Sequence, residues 1–254
     1  MKLETINVKL SEHDKKRNIS IPQYLTPELA EFIGLMIGDG NISQFHYPTI
    51  EGRSTLHSDI KIACNKNEVQ YITHIQHLFQ KLFNLELKYM QEKSQGAIAL
   101  RAHSKGIVHF LNLACEIPIK QKGSIVGIPT IIKNNPLEIK RAFLRGLADT
   151  DFSVSFQNKT GKGHNYPVIK ASFKSRKLVQ DLEELYKELG FVYSTYYNQT
   201  THDKRFANPT TIHSVYLYGR KNLTHWLNHV GFSNEKFLRK TKKWSQDGVC
   251  PPGY

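Results

Sequence analysis

Two periods of apolar residues alternate along the chain, one helical and one extended. Over Asn67–Phe83 the residues Val69, Ile72, Ile75, Leu78, Phe79 and Leu82 fall on one side of a predicted helix. Over Ser58–Asn65, Ile60, Ile62 and Cys64 alternate with Asp59, Lys61 and Ala63, which predicts a half-buried strand. Asn41–Tyr47, Leu85–Met90 and Ala97–Ala102 read as further strands, Pro48–Leu56 as a polar loop, and Ser104–Ala114 as a closing helix. The second half runs the same course. Ser153–Asn158 and Tyr166–Phe173 are extended, Arg176–Leu189 is a helix ended by Gly190, Phe191–Asn198 and Ile212–Tyr218 are strands, and Lys221–Val230 is a helix. Matched segments support the repetition: Ile62–Asn67 pairs with Lys170–Ser175, Leu78–Leu82 with Leu185–Leu189, and His109–Asn112 with His225–Asn228.

The pattern divides the chain into an N-terminal arm (1–24), a first repeat (25–114), a linker rich in Pro and Gly (115–135), a second repeat (136–231) and a basic tail (232–254). The arm, with its charged run Glu12–Arg17, reads as irregular and solvated, and the tail carries a short cationic helix over Glu235–Trp244. The expected fold is α/β of the α+β type. It consists of two pseudo-symmetric αββαββα repeats, each a four-stranded antiparallel sheet backed by helices, joined at a two-helix interface.

The leading helix of each repeat is unusual. Thr26 can cap the first with Pro27 at its first position; Asn135 can cap the second with Pro136, and Glu138 sits where a capping box wants it. Each then carries small residues every fourth position: Ala30, Gly34 and Gly38 in one, Ala142, Gly146 and Thr150 in the other. Glycine inside a helix costs roughly 1 kcal/mol relative to alanine, so a partner backbone packed unusually close is expected to compensate. Parallel packing through these faces would bring both helix C-termini together, and with them Asp39 and Asp151. Two carboxylates at two negative helix ends repel, and a divalent cation removes the conflict.

Phe32–Gly40 and Leu144–Phe152 resemble the two motifs of a LAGLIDADG homing endonuclease in its single-chain, two-repeat form. That resemblance implies metal binding at the acidic motif residues, Asp39 and Asp151, with one active site per DNA strand and 3′ overhangs on cutting. Asp149, two residues earlier, is structural or peripheral on this reading. The metal set is read as Asp39 and Asp151 with the residues before them, Gly38 and Thr150. Mg²⁺ is the expected ion, with Mn²⁺ or Ca²⁺ able to take the same sites. The family also places a basic residue near the scissile phosphates; Lys66 and Lys174, at equivalent strand ends, are the candidates. The second motif departs from the usual pattern by ending in Phe152, which must adopt strand geometry rather than a left-handed cap.

Composition agrees with a nucleic-acid partner. The 254 residues hold 35 Lys+Arg against 22 Asp+Glu, a net charge of +13 that favours a polyanion. The three cysteines form no CxxC pair, there is no secretory signal or membrane-length apolar run, and no P-loop signature occurs. The expectation is an intracellular monomer of cytoplasm, nucleoid or organelle, with no membrane association. Lacking an N-terminal Cys and a closing His-Asn, the chain reads as free-standing and intron-encoded rather than as an intein. His74 with His77, and His225 with His229, lack further ligands and read as boundary residues rather than zinc sites.

Helices on one face of each sheet leave the other for double-stranded DNA. Alternation assigns to that face Lys61, Lys88 and Arg101, with Asp59 and Glu86 among them, in the first repeat. In the second it assigns Ser153, Ser155, Gln157, Lys170, Ser172, Tyr193, Thr195 and Tyr197. The rival reading is an RNA-splicing cofactor (maturase) that binds its host intron RNA on the same fold.

Overall fold

The computed structural model describes residue 3 and residues 8–48, 54–92, 96–119, 122–159, 161, 163–202 and 208–253. After a short helix α1 (Glu12–Lys16), the first repeat comprises α2 (Pro27–Gly38), β1 (Gly40–Pro48), β2 (Ser54–Asn65), α3 (Val69–Phe83), β3 (Lys88–Gln91), β4 (Ala97–His103) and α4 (Lys105–Leu113). A one-turn helix α5 (Thr130–Lys133) precedes the second repeat. This comprises α6 (Leu137–Asp151), β5 (Phe152–Gln157), β6 (Tyr166–Phe173), α7 (Arg176–Glu188), β7 (Tyr193–Thr201), β8 (Thr210–Tyr218) and α8 (Gly219–His229); α9 (Glu235–Asp247) follows.

The sheets have orders β1-β2-β4-β3 and β5-β6-β8-β7, antiparallel at every junction. Each αββαββα unit therefore folds as the repetition in sequence implies. Alternation decides which face is buried. Ile42, Ile60, Ile62, Ile98 and Leu100 in one sheet, and Val154, Phe156, Ile169, Ala171, Val215 and Leu217 in the other, enter the core. α3 lays Ile72, Ile75, Leu78, Phe79 and Leu82 into that core, as its periodicity predicts.

Several boundaries differ from the expectation, each for a local reason. The arm is packed, not solvated. Ser11 and Asp14 form a capping box on α1, and the buried Asp14 carboxylate also accepts from the Gly106 amide at 3.1 Å and from Arg17 Nη2 at 3.0 Å. Burial pushes the Asp14 carboxyl up, but hydrogen bonds from Ser11, Ser104 and Gly106 outweigh it and hold the group below its ordinary value. Ile19 and Leu25 are buried behind it.

Of the expected loop Pro48–Leu56, Pro48 ends β1 and Ser54–Leu56, with His57, extend β2 along it; residues 49–53 lie outside the described residues. The third strand begins at Lys88, because Leu87 turns into the core first. Asn135 does not cap α6: its amide donates to the Ile131 carbonyl at 2.7 Å, closing α5 instead, and Pro136 stands at the start of α6 without a side-chain cap. Thr26 does cap α2, accepting from the Leu29 amide at 3.2 Å. The linker is not wholly irregular either. It forms α5, and Ile119 makes a parallel bridge to Ile42 of β1. The tail helix α9 appears as predicted and runs on to Asp247, with Phe237, Thr241 and Trp244 buried.

Candidate active site at the helix seam

The core of the molecule is the seam between α2 and α6. A Cβ on Gly34 would overlap the Phe143 carbonyl oxygen and lie 2.8 Å from the Leu147 nitrogen. One on Gly146 would overlap the Glu31 carbonyl oxygen and lie 3.1 Å from the Leu35 nitrogen. One on Gly38 would overlap the Thr150 hydroxyl and lie 2.8 Å from Thr150 Cβ. Contacts advance together in both helices, from Glu31 against Gly146 to Gly38 against Thr150, so the helices run parallel. Backbone meets backbone, and only glycine permits it. Ala30 and Ala142, the small residues one turn earlier, are buried in the same core.

Polar groups lock the seam on its flank. Glu31 of α2 accepts from Arg145 of α6 at 2.6 and 3.0 Å, from His74 of α3 at 2.7 Å and from the Ser233 hydroxyl at 2.9 Å. Burial would raise its carboxyl, but the hydrogen bonds and charges of His74 and Arg145 hold it down at about 2. Asp149 is 1% exposed and accepts from the Ser233 and Asn234 amides at 2.9 and 3.1 Å. Burial pushes it up to about 7. It thus anchors the start of α9.

At the common C-terminal end stand Asp39, the residue that caps α2, and Asp151, the last residue of α6. Crowding by surrounding protein raises both carboxyls, Asp39 to about 7 and Asp151 to about 6. The Asp151 charge adds to the rise at Asp39, and Lys122 opposes it at both. Both side chains nevertheless keep an open solvent side, so an incoming ligand can reach them. Asp39 borders a cavity of about 370 Å³ lined also by Cys64, Asn65, Asn67 and Gly96. Neither entry into a sheet uses a left-handed residue: Phe152 is extended, with φ −92° and ψ 159°, and Gly40 has no positive φ, although a Cβ there would meet Met36 Cα at 2.5 Å. Phe152 thus enters β5 directly, in the strand geometry expected of a non-glycine residue at that place.

Sequence reasoning missed the cation at this place. Lys122, from the linker, donates through Nζ to the Met36 carbonyl at 2.7 Å and to the Gly38 carbonyl. Burial lowers its ammonium to about 8, against the pull of Asp151 and Asp39. Lys236 of α9, paired with Glu68 at 3.2 Å, also acts on both carboxylates. Lys66 and Lys174 do occupy matching places, each the first residue past a strand (β2 and β6), and both are exposed. Thr150, in the expected metal set, donates its hydroxyl to the Leu147 carbonyl at 2.9 Å.

Asp39, Asp151 and the Gly38 carbonyl are hard oxygen donors, and the charge of Asp151 acts on Asp39, a set that fits a hard divalent cation. Among the described residues no group of three or more His, Cys, Asp and Glu gathers at one place. Such an ion would thus keep positions open for water and phosphate oxygens. His74 and His225 hydrogen-bond to Glu31 and to the Leu189 carbonyl, as boundary residues do.

The open faces of the sheets carry most of the expected residues. Lys61, Lys88 and Arg101 are cross-strand partners on one face, with Glu92 bridging Lys61 at 2.5 Å and Arg101 at 3.7 Å. Asp59 shares that face but is buried beside His103, and Glu86 precedes β3. In the second sheet Ser153 pairs with Lys170, Ser155 with Val168, Gln157 with Tyr166, and Ser172 with Ser214 on the corresponding face.

Tyr193, Thr195 and Tyr197 point the other way. Thr195 and Tyr197 donate to Glu183 of α7 at 2.6 and 2.8 Å, and the Tyr193 ring packs 6.0 Å from Tyr186. A one-residue slip in the reading of β7 inverted its faces. The outward residues are Ser194 and Tyr196, joined by Tyr216 and Tyr218 of β8. Tyr216 stacks on Tyr218 at 5.3 Å and meets Tyr196 edge-on at 5.4 Å, while Lys170 lies 5.3 Å from the Tyr216 ring. The alternation of apolar Val215 and Leu217 with Tyr216 and Tyr218 was the available signal that the tyrosines face out.

Among the described residues no helix is long and apolar enough to cross a membrane. A family profile for a LAGLIDADG-like domain matches residues 138–231. Among curated proteins the chain is similar to a probable translation initiation factor IF-2 of Thermococcus kodakarensis (23% identity, 84% of this chain, 16% of that protein). It is also similar to an A-type ATP synthase component of Pyrococcus abyssi (27%, 55% of this chain, 12% of that protein) and a DNA polymerase of Methanocaldococcus jannaschii (23%, 66% and 9%). The chain thus spans under a fifth of the length of these relatives.

Among solved structures it resembles I-DmoI in complex with DNA and Mn, with a TM-score of 0.54 and 19% identity over 82% of this chain and 98% of that one. It also resembles I-SmaMI bound to an uncleaved DNA target with calcium ions, with a TM-score of 0.54 and 12% identity over 89% and 91%. The second repeat thus carries a LAGLIDADG-like domain, and the two motif helices with the doubled four-stranded sheet give the whole chain the fold of these single-chain, two-repeat structures.

Proposed function

We propose that the chain is a site-specific endonuclease that hydrolyses both strands of a long double-stranded DNA target with the help of a divalent cation. The observation that carries this reading is the meeting of Asp39 and Asp151 at the shared end of a parallel seam, between two sheets that each leave a polar face open. The +13 charge brings a polyanion to those faces. Structures of the same fold solved with DNA and with Mn or calcium ions lend support. The matched curated proteins carry three unrelated activities on segments far larger than the shared one, which fits a module separate from those activities.

Asp39 and Asp151, with the Gly38 carbonyl, would hold Mg²⁺, or Mn²⁺ or Ca²⁺ in its place. When bound, such an ion supplies charge neutralisation at phosphorus and an activated water, with the 3′ oxygen as leaving group. The chain's own residues do the rest. The glycine seam fixes the spacing of the carboxylates, the two open faces set the register of the duplex, and Lys66 and Lys174 stand at matching strand ends where cations can offset phosphate charge. The protein acts as a monomer encoded within an intron, and the target spans the intron-less insertion site.

Purified protein with Mg²⁺ should cut a DNA library spanning that site. Asp39→Asn and Asp151→Asn should each lower double-strand cutting on the order of a hundredfold or more, while binding in Ca²⁺ persists. Uncut DNA throughout, or cutting unchanged by both substitutions, refutes the reading. The maturase reading predicts that Asp39→Asn leaves splicing of the host intron intact and that the wild-type chain promotes it.

A further inference from the structure

A cavity of about 550 Å³ lies away from the helix seam, where α1 meets the far end of the first sheet. Five residues of its lining are cationic or can become so: His13 of α1, Arg17 at its end, His57 of β2, His103 at the end of β4 and Lys105 at the start of α4. The carboxylate in that lining, Asp14, is buried and already occupied, accepting from Ser11, from the Gly106 amide and from Arg17. The first amides of α4 thus have their acceptor, and what is left to the cavity is a ring of side chains. Arg17 fixes the ring, donating to Asp14 at 3.0 Å and to the His103 carbonyl at 2.7 Å, which ties α1 to β4. His13, His57, His103 and Lys105 are exposed, and Lys105 makes no ion pair among the described residues.

Two of these side chains also belong to the open face of the first sheet. His103 is the cross-strand partner of Asp59, and His57 stands two residues along β2 from Asp59, on the same side. The His57 ring is braced there, stacked on Phe45 at 5.7 Å and edge-on to Tyr47 at 5.1 Å. Asp59 lies 3.3 Å from His103 Nδ1, which leaves Nε2 to the cavity. At the other end of β2 the Ala63 amide donates to the Asp39 carbonyl at 3.1 Å, so the strand leads from the candidate active site to the cavity. From Ala63 to His57 is about 20 Å at roughly 3.3 Å per residue, or about six base-pair steps of about 3.4 Å.

We propose that this cavity seats a backbone phosphate of the DNA target about six base pairs out from the cleavage centre, and so sets how long the first repeat's half-site must be. The proposal rests on the reading of the open faces as the duplex surface. A ring of imidazole and ammonium donors whose carboxylate is already spent suits an anion. Its place at the margin of the sheet, beyond Lys61 and Arg101, suits the sugar-phosphate backbone rather than a base edge.

The test is binding of the full chain to its target duplex in Ca²⁺, without cutting, over a series of salt concentrations. Each phosphate contact adds about 0.9 to the salt slope, which at 0.1 M is about eightfold in affinity relative to 1 M. His103→Gln/Lys105→Gln is expected to flatten the slope by about 0.9 and to bind about eightfold more weakly at 0.1 M. Lys105→Arg, which keeps the charge, should bind as the wild type does. Shortening the duplex to about five base pairs on one side of the cleavage centre should erase the difference between the double variant and the wild type. Shortening the other side should preserve it, because the cavity belongs to one repeat. Replacing the phosphate about six steps out by an uncharged methylphosphonate should weaken the wild type about eightfold and leave the double variant unchanged; the wild-type arm of that comparison decides the matter if the variant fails to fold by circular dichroism. A folded variant that binds the long duplex like the wild type, or loses as much on the shortened duplex, overturns the proposal, as does a methylphosphonate without effect on the wild type, and the nuclease reading stands. A wild type that binds no duplex of the library takes down that reading and this one together.

Discussion

Replacing Gly34 by alanine sets two known effects against each other. Alanine is intrinsically better in a helix by about 1 kcal/mol, so on propensity alone the variant gains stability. The seam reverses the sign. The new Cβ would overlap the Phe143 carbonyl oxygen and sit 2.8 Å from the Leu147 nitrogen, both main-chain atoms of α6 that cannot rotate aside. Overpacking a rigid site costs roughly 1–3 kcal/mol, and a clash with backbone belongs at the upper end, leaving a net loss of about 2 kcal/mol. For a chain of this size that lowers the melting temperature by roughly 4–8 °C.

Gly146→Ala should behave alike, since its Cβ meets the Glu31 carbonyl. The double variant should lose less than the sum, because one separation of the helices relieves both contacts. Gly106→Ala is the control: its Cβ meets chiefly the Leu10 side chain, whose methyl end can move, and stability should stay within about 1 kcal/mol of the wild type. Thermal and chemical denaturation monitored by far-UV circular dichroism measure all four. If Gly34→Ala or Gly146→Ala proves as stable as the wild type, the backbones do not approach as described, and the placement of Asp39 and Asp151 loses its foundation.

Two further expectations concern the site and the open face. Asp39, Asp151 and Asp149 are raised from 3.8 to about 7, 6 and 7. The folded chain therefore holds these protons more tightly than the unfolded chain, and their contribution is lost as pH rises from about 4 to about 7. Glu31, lowered to about 2, contributes above its ordinary value of 4.5 and is lost only below it. The melting temperature of metal-free protein should accordingly fall between about pH 5 and pH 7, and Mg²⁺ should restore it at the upper end but not the lower, where protons hold the ligands. A flat or rising profile in calorimetry contradicts the burial that raises these three carboxyls. On the open face, Tyr216→Ala should weaken DNA binding by about 1 kcal/mol or more at unchanged stability. Thr195→Ala should leave binding alone and cost about 1 kcal/mol of stability through the lost Glu183 hydrogen bond; titration of labelled duplex showing the reverse would invert the facing of β7.

What sequence could reveal here followed how local the cause was. The seam was legible because Gly34, Gly38 and Gly146 repeat at helical spacing and end in carboxylates, so the geometry is carried by a dozen neighbouring residues. β5 and β6 were legible because Val154, Phe156, Ile169 and Ala171 alternate with polar partners. β7 was not: Tyr and Thr occupy both its faces, and the register shifts between Tyr196 and Gln199, so alternation carried no sign of which side was buried. Asn135 looked like a cap for α6 because capping reads only the local string, whereas its amide was taken by the turn before. Lys122 had no signature at all; a lysine in a Pro- and Gly-rich stretch becomes a site residue only through where the linker passes in three dimensions.

The tie between the tail and both halves has a bearing on the order in which the molecule can be completed. Ser233 and Asn234 supply donors to Asp149 and Glu31, and the Asn234 amide also reaches Glu68 of the first repeat at 2.7 Å. All of these acceptors are made earlier on the ribosome than the groups that satisfy them. Until residues 233 and 234 emerge, a nascent chain whose halves had already docked would enclose an unanswered carboxylate at 149. Synthesis from the N-terminus therefore favours closing the joint late, after residues 233 and 234 have left the exit tunnel, with α9 acting as the latch.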